Sequence, residues 1–282
     1  MTKTIFLPII PVAGKPIGRH IRHDPRSLAY LVAETSTVTT KIWHLDSGTL
    51  DQGNVGACTG NALVDTLGTD PYYGTFPAGT VLDERLALEI YSEAEKIDGG
   101  EGYPPEDKGS SGLSAAQAAK ARGLISGYLH ITSVAAAHTA IQSGPFMVGT
   151  YWYTGMDSPD ATGVVQATGT VRGGHEYECY GYDAETDLWW FRNSWGPTYG
   201  IQGNFAYDTA TFTKLLAAHG DATVLVPRSE PAPTPTPAPA GDPVDAALNY
   251  EAAIFVARRH TGENETMAKA LVTWRAGKGY SS

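Results

Sequence analysis

The chain has 282 residues, 42% hydrophobic and 18% charged, enough apolar material for one large folded domain or two modest ones. A net charge of -10, with no dense Lys/Arg stripe, argues against a duplex nucleic-acid binder. Two cysteines, Cys58 and Cys179, are too few for a disulfide-built scaffold, and no C-x-x-C or H-E-x-x-H metal spacing occurs, so neither metal nor organic cofactor is expected.

In chain order, the N-terminal text MTKTIFLPIIPVAGKPIGRH holds an apolar stretch from Ile5 to Val12, broken by Pro8 and Pro11. It makes a poor signal peptide and is too short to span a bilayer, which points to a cytoplasmic or virion-associated protein. Residues 58–67 (CTGNALVDTL) suit a helix beginning at or just before Cys58. Residues 82–96 form an amphipathic helix pattern with Leu86, Ile90 and Ala94 in one stripe. The Ala-rich run 114–122, closed by Gly123, and the run 134–142 read as two further helices. Beyond Gly144-Pro145 the text turns strand-like: FMVGTYWY, HEYECYGYD, LWWFRNSWG and GNFAYD. Helices segregated from an antiparallel set of strands imply an α+β domain of two halves.

Residues 229–243, SEPAPTPTPAPAGDP, predict an extended proline-rich spacer. Helical spacing resumes over 244–274, with Gly262 as a stop and a second helix over 264–275. Such a small module needs a surface to pack on: the main domain, another copy or a protein partner. The domain plan is therefore 1–228 (core about 45–210), a linker at 229–243 and a helical module at 244–282.

Three blocks carry the chemistry: DQGNVGACTG, GGHEYECYGYD and WWFRNSWGPTYGIQG. Cys58 follows a Gly-rich loop and opens a helical run, where the helix dipole and free N–H groups favour a thiolate. In such places a thiol pKa of about 8.5 falls to roughly 3.5–7.5. His175 begins a strand. Asn193 offers a carbonyl that fixes an imidazole tautomer and aims its other nitrogen at a nucleophile. Cys58 and His175 also have plain structural readings, a small buried thiol and a structural histidine.

These blocks resemble the papain family of cysteine peptidases. Gln52 precedes Cys58 by the family's six positions, and Asn193-Ser194-Trp195-Gly196, then Tyr199-Gly200 and Gly203, is similar to the family's asparagine block. The resemblance implies a two-subdomain fold, with a helical half carrying Cys58, an antiparallel half carrying His175 and Asn193, and a cleft between them. It also implies endopeptidase action through an acyl-enzyme, with Cys58 as nucleophile, His175 as base, Asn193 as its orienter and Gln52 as oxyanion donor. Trp195 would cover the His–Asn hydrogen bond. Substrate contacts are expected at Gly109, Ser110 and Ser111 before the Ala-rich helix, at Gly149 on the strand after Gly144-Pro145, and at Glu176 and Trp195. Glu176, where the family often has a small residue, would favour a basic substrate side chain; the alternative is an exposed carboxylate that never meets substrate.

Thr59 replaces the family's usual Trp after the cysteine, and the family's structural disulfides are absent, which fits a bacterial or viral branch in a reducing compartment. Fewer than sixty residues precede Cys58, so no full propeptide is expected, although residues 1–25 could still lie over the cleft. Two rival readings are a peptidoglycan peptide hydrolase and a catalytically idle papain-like assembly component of a virus particle.

Overall fold

The computed structural model describes residues 4–7, 10–12, 15–23, 38–131 and 133–228. The expected linker and helical module lie outside them. The described residues other than 77–80 belong to one unit; residues 77–80 group apart and form a turn closed by the Thr80 N–H on the Pro77 carbonyl.

Three short helices pack as one layer. α1 (Cys58–Leu67) is buried along its whole length, α2 (Glu84–Ile97) buries the face carrying Ala87, Ile90, Tyr91 and Ala94, and α3 (Gly112–Ala121) is Ala-rich and almost wholly buried. Local chemistry sets their starts. Asp83 accepts the Leu86 N–H and Ser111 accepts the Ser114 N–H, each capping a first turn. Their apolar faces, with Leu50, Met147 and Leu225, make one core.

The second core belongs to an antiparallel sheet. In spatial order its strands are β10 (Asn204–Asp208), β9 (Leu188–Arg192), β8 (Val171–Asp183), β7 (Phe146–Tyr153), β11 (Asp221–Val226) and β6 (Gly127–Ile131), with β5 (Lys41–Ile42) also pairing β8. α4 (Val134–Ile141) and α5 (Thr209–Ala217) flank it. β8 decides the architecture, because alternate residues of a strand point to opposite faces. His175, Tyr177 and Cys179 lie on one side; Tyr177 and Cys179 join an aromatic core with Trp152, Trp189, Phe191 and Phe205, against which His175 stacks. Glu176 and Glu178 are the intervening residues and are equally buried.

The helices at 58–67, 82–96, 114–122 and 134–142 and the four strand blocks emerge as expected, within a few residues at their ends. β6, β11 and α5 were not anticipated. Near the N-terminus, β1 (Thr4–Ile5) pairs β4 (Ile21–Arg22), and β2 (Ile10–Val12) pairs β3 (Lys15–Ile17). Among the described residues both cysteines are free thiols, no group of acidic, His and Cys residues could hold a metal, and no helix is long and apolar enough to cross a membrane.

Candidate active site

Cys58 is the first residue of α1, after Ala57, which supplies no side-chain cap. Its thiol is fully buried, and the backbone N–H groups of Gly18 and Glu176 donate toward the sulfur. Glu176 adjoins His175 on β8, so the helical half delivers the sulfur beside the strand that carries the imidazole.

His175 Nε2 lies 2.8 Å from Asn193 Oδ1, which also accepts the Ser194 N–H at 2.8 Å. An oxygen that accepts cannot also donate, so the hydrogen sits on Nε2 and His175 Nδ1 keeps its lone pair. Nδ1 is buried with no hydrogen-bond partner among the described residues. The ring is walled by aromatics: Trp152 meets it edge-on at 4.9 Å, and Trp195 lies against it at 4.9 Å with the two planes tilted by 30°.

Gln52 is held by both halves. Its N–H donates to the Ser194 carbonyl at 2.9 Å, and Ser194 Oγ donates to Gln52 Oε1 at 2.7 Å. Because Oε1 is engaged, the amide NH₂ must face away, and it donates to Val55 O and Pro16 O, each at 2.8 Å. Pro16 belongs to the N-terminal segment. A main-chain carbonyl of that segment thus occupies the donor expected to serve an oxyanion.

Residues 16–20 lie buried across this site. The Ser110 N–H donates to Gly18 O at 2.8 Å, the His20 N–H to Ser110 O at 2.8 Å, and the Arg19 N–H to Gly174 O at 3.0 Å. The approach is so close at Gly18 that a Cβ there would stand 2.2 Å from the Gly56 carbonyl oxygen. The Ser110 backbone thus pairs with the extended N-terminal segment of the same chain. Gly109, with φ +82, turns the chain into that position, and a Cβ on it would stand 2.1 Å from Gly18 O. Ser111 serves the helix instead, since its side chain caps α3 and its N–H bonds Asp98 Oδ2 at 2.8 Å. Glu176 is not an exposed carboxylate but a buried one, next to Gly149 and Arg19.

Sequence reasoning missed Arg19 and Asp221. Arg19 is fully buried, with Nη2 2.8 Å from Asp221 Oδ1 and Nε 3.7 Å from Glu176 Oε2. The basic text GRHIRH in an acidic chain was the one available signal for Arg19. Asp221, opening β11, carried none.

The sequence model of the papain family of cysteine proteases matches residues 82–218. Over residues 82–218 this chain is similar to that family. The matched stretch includes His175 and Asn193 but begins after Cys58 and Gln52, whose assignment rests on their spacing and surroundings. Among solved structures, the domain is similar to xylellain, a cysteine protease from Xylella fastidiosa (20% identity, TM-score 0.58, 78% of this chain and 98% of that one). It is also similar to the proform of the ragweed pollen cysteine protease Amb a 11 (16%, TM-score 0.55, 73% and 70%) and to digestive procathepsin L 3 of Tenebrio molitor larval midgut (16%, TM-score 0.51, 70% and 72%). At such identities the likeness is one of fold. No curated protein matches the sequence significantly.

In one respect the site departs from expectation. Burial pushes the Cys58 thiol up to about 12 instead of lowering it, and pushes His175 down to about 4. Desolvation of the sulfur under the N-terminal segment outweighs the Gly18 and Glu176 N–H groups, which favour the thiolate. With the cleft covered, both groups rest neutral. Burial and the neighbouring Asp221 also raise Glu176 well above the usual carboxylate range, and Arg19 opposes them.

Proposed function

We propose that the domain hydrolyses peptide bonds, with Cys58 as nucleophile, His175 as general base and then acid, Asn193 as the group orienting the imidazole, and Gln52 as oxyanion donor. Once residues 16–20 leave the cleft, water and substrate reach the sulfur, and proton transfer from Cys58 to His175 Nδ1 gives a thiolate and an imidazolium. The thiolate attacks the scissile carbonyl. The negative charge that develops on its oxygen is held by the Gln52 amide and the Cys58 N–H; in the covered cleft the Pro16 carbonyl oxygen accepts from that same amide. His175 protonates the leaving amine, and an activated water then releases the acid and restores the thiol.

The observation that carries this reading is the hydrogen-bond chain Ser194 Oγ–Gln52 Oε1 together with His175 Nε2–Asn193 Oδ1. It orients a donor and a base about a cleft that Cys58 borders. A core histidine and a core glutamine have no reason to share such a frame.

The test uses the full chain, its Arg19→Ala variant and the Cys58→Ala variant of each, incubated with a denatured protein. New amino termini released by the chains that retain Cys58, and by neither Cys58→Ala variant, are the expected result. Release that survives loss of Cys58, or no release even with Arg19→Ala, overturns the proposal. Parallel incubation with peptidoglycan distinguishes a cell-wall substrate, which would show release there and none from the protein.

A further inference from the structure

The loop before Cys58 meets the stretch before Ser110, and no disulfide joins them, since both cysteines are free thiols. Polar contacts do the joining. The Gly56 N–H, two residues before Cys58, donates to both carboxylate oxygens of Asp107, at 3.0 and 3.1 Å. The Tyr91 hydroxyl stands 2.6 Å from Asp107 Oδ1 and accepts the Gly109 N–H at 2.9 Å. Glu95 follows Tyr91 on the same face of α2. Its Oε1 accepts the Lys108 N–H at 2.7 Å and lies 2.9 Å from the Tyr91 hydroxyl. A second contact starts from the neighbour of the sulfur itself: the buried Thr59 and Ser110 hydroxyls share a short hydrogen bond.

The frame that carries these groups is tightly packed. Tyr91 and Glu95 are buried on α2. α2 touches the first turn of α1 so closely that a Cβ at Gly60 would stand 2.1 Å from the Ala87 carbonyl oxygen and 3.1 Å from Tyr91 Cβ. Charge strengthens the link to Gly56, because an N–H bonded to a carboxylate is held roughly twice as strongly as one bonded to a neutral acceptor. One carboxylate–phenol pair thus fixes two backbone N–H groups, and each adjoins a different part of the site. Gly56 lies in the loop between Gln52 and Cys58. Gly109 precedes Ser110, whose backbone pairs with an extended chain.

We propose that Asp107 and Tyr91 are positioning residues for the peptidase reaction, setting the spacing between the oxyanion-binding loop and the backbone edge at Ser110 on which a peptide lies, with Thr59 as a second tie. This rests on the peptidase reading above and adds residues to its site. If the loop moves by about 1 Å, Gln52 and the Cys58 N–H miss the developing oxyanion, and such misplacement costs roughly 10²-fold in rate. Asp107 acts through Gly56, and so on the chemical step. Tyr91 acts through Gly109 as well, and so on binding. Thr59 stands where the papain family usually has Trp, which makes its bond to Ser110 a device of this chain.

Kinetics of the full-length Arg19→Ala chain, on a peptide that it cleaves, test the proposal. Adding Asp107→Ala should lower kcat about tenfold or more and change KM less than about threefold. Asp107→Asn keeps an acceptor for the Gly56 N–H and should recover most of the loss. Tyr91→Phe deletes one oxygen and keeps the ring, so it reports even where Asp107→Ala does not fold; it should raise KM by more than it lowers kcat. An unchanged kcat in Asp107→Ala, equal losses in Asp107→Asn and Asp107→Ala, or a KM unmoved by Tyr91→Phe overturns the assignment and leaves the peptidase reading standing. Amide hydrogen exchange needs no activity. Residues 53–57 and 107–110 should exchange faster in Asp107→Ala and in Tyr91→Phe than in the parent, while β7 to β9 keep their protection. If the parent cleaves nothing, the peptidase reading fails and exchange alone decides the tie. Unchanged exchange, or protection lost throughout the sheet, overturns it.

Discussion

Among the described residues two arginines are fully buried, each between two carboxylates that include a glutamate of β8, yet they are built differently. Arg192, on β9, donates from Nε to Glu178 Oε2 at 2.8 Å, from Nη1 to Ser47 O at 3.0 Å, and from Nη2 to Asp65 O at 2.6 Å and Thr69 Oγ1 at 2.7 Å. Every nitrogen is used, and the bonds tie β8 and β9 to α1 and the turn after it. Arg19 reaches Glu176 and Asp221 from a short N-terminal segment and leaves Nε and Nη1 unbonded among the described residues. The Arg192 cluster joins elements that cannot part without unfolding. The Arg19 cluster joins an element that has to part if the cleft is to work. Burial of charge is the same in both; the number of satisfied donors tells the permanent joint from the replaceable one.

That contrast can be broken in several ways. The largest expected effect is on Arg192→Ala, which strands Asp65 and Glu178 and should cost about 3–5 kcal/mol in urea unfolding, whereas Arg19→Ala should cost about 1 kcal/mol or less because only the segment is released. Equal losses would erase the distinction. Next, in the uncovered Arg19→Ala background, Gln52→Ala should lower kcat/KM by roughly 10²–10³-fold, the usual consequence of removing one oxyanion donor, with the melting temperature nearly kept. A loss confined to KM would mean that Gln52 acts on binding alone. Smaller, Arg19→Ala should speed alkylation of Cys58 at neutral pH by about tenfold or more, since the segment that buries the sulfur is weakened; an unchanged rate would show that Arg19 does not hold the cover.

The finest test is pH. In the covered wild type burial pushes the thiol up to about 12, so the thiolate fraction, and with it the alkylation rate, should climb roughly tenfold per pH unit through the moderately alkaline range. The sign follows from a raised pKa: the neutral thiol persists above the pH at which an exposed one ionises, and reactivity comes only as pH rises toward the higher value. A rate already flat there would mean that the thiolate exists under the cover.

The two arginines also show what a sequence discloses. Cys58, His175, Asn193 and Gln52 became candidates because each sits in a short local pattern: a glutamine six residues before a cysteine, a histidine after paired glycines, an asparagine in N-S-W-G. α1 to α4 and the strand blocks were legible from periodicity and breakers. β6, GYLHI, was missed because its glycine and histidine dilute the strand pattern and most of it is only half-buried, and α5, TATFTKLLA, because threonines crowd it and only Phe212 and Leu215 are fully buried. Glu176 could be suspected of favouring a cation from its place after the histidine. Its partners could not, since Arg19 and the His219–Asp221 corner are separated by about 200 residues and meet only through the register of β11, β7 and β8. The depressed thiol pKa expected at a helix start failed for a related reason: a distant segment removed the water that the expectation assumed.

The most direct measurement of the central claim is active-site labelling of the full-length Arg19→Ala chain with an arginine-containing peptidyl epoxide, read by mass spectrometry of the digested adduct. One equivalent on Cys58, suppressed when His175→Ala is added and by competing arginine peptide, is the predicted result. Labelling of Cys179 instead, or labelling of Cys58 that is indifferent to His175, would contradict it.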